Sequence, residues 1–325
     1  MLSLRGPMMH ESPNYPIIVD TDAGPDDILA LGYLLVHPSI HVEAITISYG
    51  LADAHRAAIN IARIVAGFAQ GHIPVYIGHT QPSVGHAAFP HRWRHISNEL
   101  PGVSLPRAYI PPEDEHAVSF LQRRLSRASR PVNVLALGAL TNLASITHPT
   151  APAIKELVIM GGAISVPGNV NNCEEFVSPT QTSEWNFYVD PLAAATVFSS
   201  DLPITLIPLD ATNQVPVKIP FIDRFTKMAR CPVGRMTTQV LDAVRPHAQE
   251  GVFYAWDPLA AVYLAHPDVV KLSRFPVSIE ASGPNAGTSR RAETGKNISV
   301  AMDASGELFM KYFTAPFAKT ADAYN

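Results

Sequence analysis

Short apolar runs alternate with helix-length segments along nearly the whole chain, and this order restricts the fold more than any other feature. The runs at residues 17–20, 42–48, 74–78, 132–138, 156–161 and 204–210 are rich in Val and Ile. They are mostly apolar at consecutive positions, so both faces of each strand need a cover. Helical segments fall between them, at 27–36, 53–67, 116–129, 140–147, 191–200 and 258–265. The alternation predicts an α/β fold: an open, mostly parallel twisted sheet with helices on both faces, of the Rossmann-like kind. Hydrophobic residues make up 47 % of the chain and charged ones 16 %, enough for a large core and unlike a disordered chain or a coiled coil.

The stretches 79–115, 163–185 and 211–250, with many of the 29 prolines, are too long for simple connections. They read as loops or small insertions around a functional rim. No composition shift or Gly/Ser linker divides the chain, so residues 15–325 are expected to form one domain after a loose tail at 1–14. The net charge of −4 offers no grip on a polyanion, so nucleic acid and acidic membranes are not expected partners. No run approaches the ~18 apolar residues of a membrane helix, and no apolar stretch of signal-peptide length follows Arg5. Two cysteines, Cys173 and Cys231, lack metal-like spacing and fit a reducing compartment. The expected location is the cytoplasm.

The densest chemical signal is Asp20-Thr-Asp22-Ala-Gly24-Pro-Asp26-Asp27, at the carboxyl end of the first strand. In open α/β sheets ligands bind at that edge, and Gly24 is expected to turn the backbone so that Asp22 and Asp27 converge. Like charges about 4 Å apart repel by about 1 kcal/mol in water and about 4 kcal/mol at an effective dielectric near 20. A helix N-terminus offsets only about 0.3–1 kcal/mol per carboxylate. One Asp here would be a helix cap; four together want protons or a cation, and all-oxygen ligands favour Ca²⁺ or Mg²⁺ over zinc. The pentapeptide Asp-Pro-Leu-Ala-Ala occurs twice, from Asp190 and from Asp257, and reads as a helix N-cap with proline at the first helical position.

Val19-Asp-Thr-Asp-Ala-Gly-Pro-Asp-Asp resembles the DxDxGxDD signature of the nucleoside hydrolases, the inosine–uridine-preferring group. The resemblance continues through Leu137-Gly-Ala-Leu-Thr-Asn, Val158-Ile-Met-Gly-Gly-Ala, Gly168-Asn169, Glu184-Trp185-Asn186, Asp190-Pro191 and Trp256-Asp257-Pro258. These landmarks run from residue 17 to about 265. The resemblance implies a calcium-dependent N-ribohydrolase acting on a small nucleoside substrate, assembled as a homodimer or homotetramer. It implies that Asp22, Asp27, Asp257 and the Leu137 carbonyl hold Ca²⁺, with Asp22 also the base for the attacking water. It assigns Asp26, Asn169, Glu184 and Asn186 to the ribose hydroxyls. Trp256 stands where base-unselective members have a histidine that protonates the leaving base. Together with Trp93 in the rim segment, it is similar to the purine-specific branch, where the base is stacked.

Two features depart from the family pattern. Leu51 replaces the usual Asn after Gly50, with Asp53 as a possible substitute, and the stretch between Asn169 and Glu184 is longer than usual. A stand-in acid among His79, His91, His95 and His247 stays open. An aspartyl-nucleophile phosphatase would also open with Asp-x-Asp after its first strand, but Lys155 and Lys218 have no convincing later acidic pair. A nucleoside-binding protein with little turnover is the third reading, fed by Leu51.

Overall fold

A computed structural model describes residues 16–84, 89–147, 153–170 and 180–318. The expected tail at 1–14, Cys173 and most of the long stretch between Asn169 and Glu184 lie outside the described residues. Nine strands form one sheet: β1 (Ile17–Thr21), β2 (Val42–Ile47), β3 (Val75–Ile77), β4 (Val132–Ala136), β5 (Ile154–Met160), β6 (Ile204–Ile207), β7 (Val270–Ile279), β8 (Ser289–Arg291) and β9 (Asn297–Ala304), in the order β3-β2-β1-β4-β5-β6-β9-β7-β8. The pairs from β3 through to β9 are parallel, and β7 joins β9 and β8 antiparallel. The expected mostly parallel open sheet is therefore present.

Adjacent residues of one strand feed different cores, as double cover requires. Ile17 and Val19 pack with Ile45, Ile47 and Leu135 on one face. Ile18 packs with Ala44, Val134 and Ala136 on the other. All are fully or nearly fully buried, and each large aliphatic side chain so placed contributes about 1.5–3 kcal/mol. The chain runs outward from β1 to β2 and β3, then returns to lay β4 on the opposite side of β1. That reversal opens a crevice at the carboxyl ends of β1 and β4, where open α/β sheets bind ligands.

Three expectations are corrected. Residues 211–250 are mainly helical, with helices Ile219–Met228, Pro232–Ala243 and Arg245–Gln249, because proline at the first or second helical position starts a helix as readily as it ends one. The rim segment 79–115 contains the helix His91–Glu99. The antiparallel strands β7, β8 and β9 were not expected: β7 exposes four consecutive residues, Lys271 to Arg274, and carries Pro276, so it lacks the apolar run of a doubly covered strand. Among the described residues, no helix is long and apolar enough to cross a membrane.

Candidate active site

The loop after β1 places its carboxylates through backbone conformation. The turn falls at Ala23, whose φ of 59° is left-handed, and not at Gly24, whose φ of −66° is ordinary. A non-glycine residue held there costs on the order of 1–3 kcal/mol, a strain typical of functional loops. Gly24 is needed for space instead: a Cβ there would lie 2.6 Å from Leu51 Cδ2 and 2.9 Å from Asp26 Oδ1. Pro25 then starts the helix Pro25–Val36, with Asp26 and Asp27 in its first turn. Asp27 accepts the Gly24 N–H at 2.9 Å and a short hydrogen bond from the Thr21 hydroxyl. Asp20 is not among the residues lining the pocket and is tied into the sheet by Thr46 Oγ1 at 2.5 Å and Asn142 Nδ2 at 2.8 Å.

Asp22 is held from the neighbouring strand. The Leu51 N–H donates to its Oδ2 at 2.7 Å. Leu51 therefore contributes through its backbone, and its side chain lines the pocket. Asp53 does not substitute for the usual Asn: it caps the helix Ala54–Phe68, accepting from the His55 and Arg56 amides. Gly50 sits so close that a Cβ would lie 2.0 Å from Asp22 Oδ2 and 2.6 Å from its Cβ. Gly50→Ala should therefore displace the Asp22 carboxylate and abolish most turnover. Steady-state kinetics beside a thermal melt checks this, and an alanine variant with wild-type kcat contradicts it.

The two Asp-Pro-Leu-Ala-Ala segments perform different tasks. Asp190 is the expected N-cap, accepting from Ala193 N, and it also binds Thr141 Oγ1 and Ser83. Asp257 does not cap, because its helix begins one residue earlier, at Trp256. Its carboxylate is left facing Asp26 and Asp27, and one oxygen of each of the three lies within 4.8 Å of the others. Asp257 is 1 % exposed and its Oδ1 has no hydrogen-bond partner.

The electrostatics of this wall are one-sided. Burial, then the neighbouring carboxylates, pushes Asp26 up to about 7 and Asp27 and Asp257 well above the usual carboxylate range. Burial also raises Asp22 to about 6 and Glu184 to about 7. Among the described residues, no Lys or Arg lines the pocket. Crowded buried carboxylates, no cationic side chain and an orphaned oxygen are the donor set that a hard divalent cation satisfies.

Asp22, Asp26, Asp27, Leu137, Asn169, Glu184, Asn186, Trp93, Trp256 and Asp257 all line this single pocket. Glu184 caps the helix Trp185–Val189 and accepts the Gly162 N–H at 2.9 Å. Asn186 gives its Nδ2 to the carbonyls of Leu137 at 2.8 Å and Met160 at 3.2 Å, leaving its Oδ1 as the group to offer a ligand. The Leu137 carbonyl thus already accepts one hydrogen bond, with its second lone pair free of that contact. Asn169 Oδ1 accepts the Trp185 N–H at 3.1 Å, so its amide NH₂ is what remains.

Residues outside the expected set complete the walls. Trp185 is 4 % exposed, stacks on Phe89 with centroids 4.7 Å apart and meets Trp93 edge-on at 5.9 Å. Phe253 packs edge-on against Trp256 at 5.3 Å. Trp185 was visible between Glu184 and Asn186, but nothing local marks an aromatic within a polar motif as a pocket wall. Phe253 and Ile96 give no sequence signal, because their place depends on how the rim helices close over the crevice.

A family model described as inosine-uridine preferring nucleoside hydrolase matches residues 17–311. Pyrimidine-specific ribonucleoside hydrolase RihA of Salmonella agona (strain SL483) is 30 % identical over 276 residues, covering 82 % of this chain and 85 % of that protein. The purine-preferring ribonucleoside hydrolase from Gardnerella vaginalis superposes with a TM-score of 0.81 at 25 % identity, covering 93 % of this chain and 98 % of that one. The inosine-uridine preferring nucleoside hydrolase from Bacillus anthracis shares the fold with a TM-score of 0.82 at 24 % identity, covering 94 % and 100 %.

Proposed function

The chain belongs to the inosine–uridine preferring nucleoside hydrolase family and is an N-ribohydrolase, and within that activity we propose that it is calcium-dependent and prefers purine ribonucleosides, releasing free base and ribose. Membership removes the aspartyl-phosphatase alternative. Base preference is not inherited from relatedness alone, since the Salmonella protein is named pyrimidine-specific and the Gardnerella one purine-preferring.

The observation that carries the preference is Trp256. It occupies the position before the late Asp257 and lines the same pocket as Trp93, Trp185, Phe89 and Phe253. An indole N–H donates a hydrogen bond but does not give up its proton. A ring stacked on the base adds about 0.5–1.5 kcal/mol beyond buried area. Purines offer the larger face and a basic N7 that solvent can protonate, whereas uracil offers neither.

In this reading Asp27, Asp257, Asp22 and the Leu137 carbonyl hold Ca²⁺. When bound, the ion supplies the positive charge that offsets the carboxylates and makes a nearby water more acidic. Asp22, fixed by the Leu51 amide, takes the proton of the attacking water. Asp26, Asn169, Glu184 and Asn186 take the ribose hydroxyls. The carboxylates of Asp26 and Glu184 thereby sit beside a sugar that becomes oxocarbenium-like as the C–N bond breaks. A site that hydrogen-bonds several hydroxyls discriminates strongly against sugars lacking one.

Reducing-sugar release from inosine, adenosine, guanosine, uridine and cytidine tests the preference. The purines should exceed the pyrimidines in kcat/KM by at least about tenfold, the equivalent of about 1.4 kcal/mol. Trp256→Ala should remove most of that advantage, while Trp93→Ala should act mainly on KM. Equal kcat/KM for uridine and inosine contradicts the proposal.

A further inference from the structure

Of the four histidines that the sequence leaves open as partners of the leaving base, the structure brings one to the pocket. His79 lies in a separate groove with His116, its imidazole 3.3 Å from Ser145 Oγ. His91 and His95 are exposed and line a different groove beside Arg94 and Glu99. His247 lines the pocket itself. It sits on the short helix Arg245–Gln249, and its carbonyl accepts the Val252 N–H at 3.0 Å, which closes the turn leading to Phe253 and Trp256.

The surroundings of His247 mark it as a group for the base. Its neighbours along the chain that share the lining, Ala243, Val244, Val252 and Phe253, are all apolar. Across the rim it feels the charge of Arg92, next to Trp93 on the helix His91–Glu99. The other polar side chain on this aromatic side, Ser97, gives its hydroxyl to the Trp93 carbonyl at 3.0 Å. No hydrogen bond or ion pair among the described residues engages the His247 imidazole. Burial and Arg92 lower its pKa below the ordinary histidine value. A neutral imidazole still keeps one ring N–H to give.

We propose that His247 donates a hydrogen bond to an acceptor on the departing purine, N7 or the 6-oxo oxygen, and so takes part of the role that Trp256 cannot fill; this rests on the purine-ribohydrolase reading of the same pocket. As the C1′–N9 bond breaks, its electron pair passes to the base and spreads over the ring acceptors. A donor aimed there binds the transition state more tightly than the ground state, which is the condition for raising kcat. The water oxygen bonds to C1′, the water's proton goes to Asp22, and the departing base takes its proton from solvent. Inosine and water thus give hypoxanthine and ribose, with His247 unchanged.

The test compares inosine with p-nitrophenyl β-D-ribofuranoside, whose nitrophenolate leaves without a donor. His247→Ala should lower kcat for inosine by about 10²-fold, as loss of one aimed donor does elsewhere, and should lower the nitrophenyl riboside rate far less. His247→Gln, which retains an N–H donor, should recover part of the inosine rate. Equal losses on both substrates assign His247 a structural role and overturn the proposal, as does an unchanged inosine rate. Failure of the wild-type protein to cleave either substrate overturns the ribohydrolase reading, and this proposal with it.

Discussion

Asp22→Asn should lower kcat for inosine by about 10²–10⁴-fold, the usual contribution of a positioned base, with much less effect on nucleoside binding. The substitution preserves shape and keeps one oxygen to accept the Leu51 N–H, now 2.7 Å from Asp22 Oδ2. The proposed ribose and base walls, Asn169, Glu184, Asn186 and Trp256, all line the pocket and are untouched. The amide nitrogen cannot take a proton from water, so the loss should fall on the chemical step. Single-turnover kinetics alongside equilibrium binding of inosine separates the two. A variant that keeps more than about a tenth of wild-type kcat lies outside the range for a general base and assigns the proton to another group.

The second large effect concerns the cation. Chelation should abolish turnover, and Ca²⁺ should restore it. A ligand held at 100 times its Kd stabilises the folded state by about 2.7 kcal/mol, which raises the Tm by about 4 °C, at about 1.5 °C per kcal/mol for a chain of this length. Asp257 provides the sharper version. Its carboxylate is 1 % exposed, lacks a partner on Oδ1 and faces Asp26 and Asp27. Without a cation its burial beside two other carboxylates is unfavourable, and with one it would become a ligand. Asp257→Asn should therefore raise the Tm of the chelated protein and weaken the rise on adding Ca²⁺. Calorimetry with and without chelator reads both signs. A chelated wild-type protein with full activity, or a variant whose Tm falls equally in both conditions, contradicts the cation assignment.

What was legible in the sequence follows the physics of each element. The parallel strands announce themselves because double cover demands consecutive apolar residues, and Ile17–Thr21 is buried at every position. The carboxylate loop was legible because four acidic residues at one strand end have few structural explanations. Its turn was misplaced. A glycine beside the bend drew the assignment, whereas the left-handed residue is Ala23 and Gly24 is small because Leu51 and Asp26 crowd it. The helices between residues 211 and 250 were hidden by prolines that in fact occupy helix starts. The aromatic wall was half legible: Trp93 and Trp256 stand in recognisable positions, but Phe89, Trp185 and Phe253 join them only through tertiary packing. The same holds for His247, one of 13 histidines until the fold brings it to the pocket.

The most direct test of the whole account is a crystal structure of the Asp22→Asn protein with Ca²⁺ and intact inosine. One Ca²⁺ should contact Asp27, Asp257, the Leu137 carbonyl and the remaining residue 22 oxygen at about 2.3–2.6 Å. The ribose should lie against Asp26, Asn169, Glu184 and Asn186, and hypoxanthine should stack on Trp256. An empty carboxylate cluster, an ion held by other residues, or a base lying away from Trp256 would contradict it.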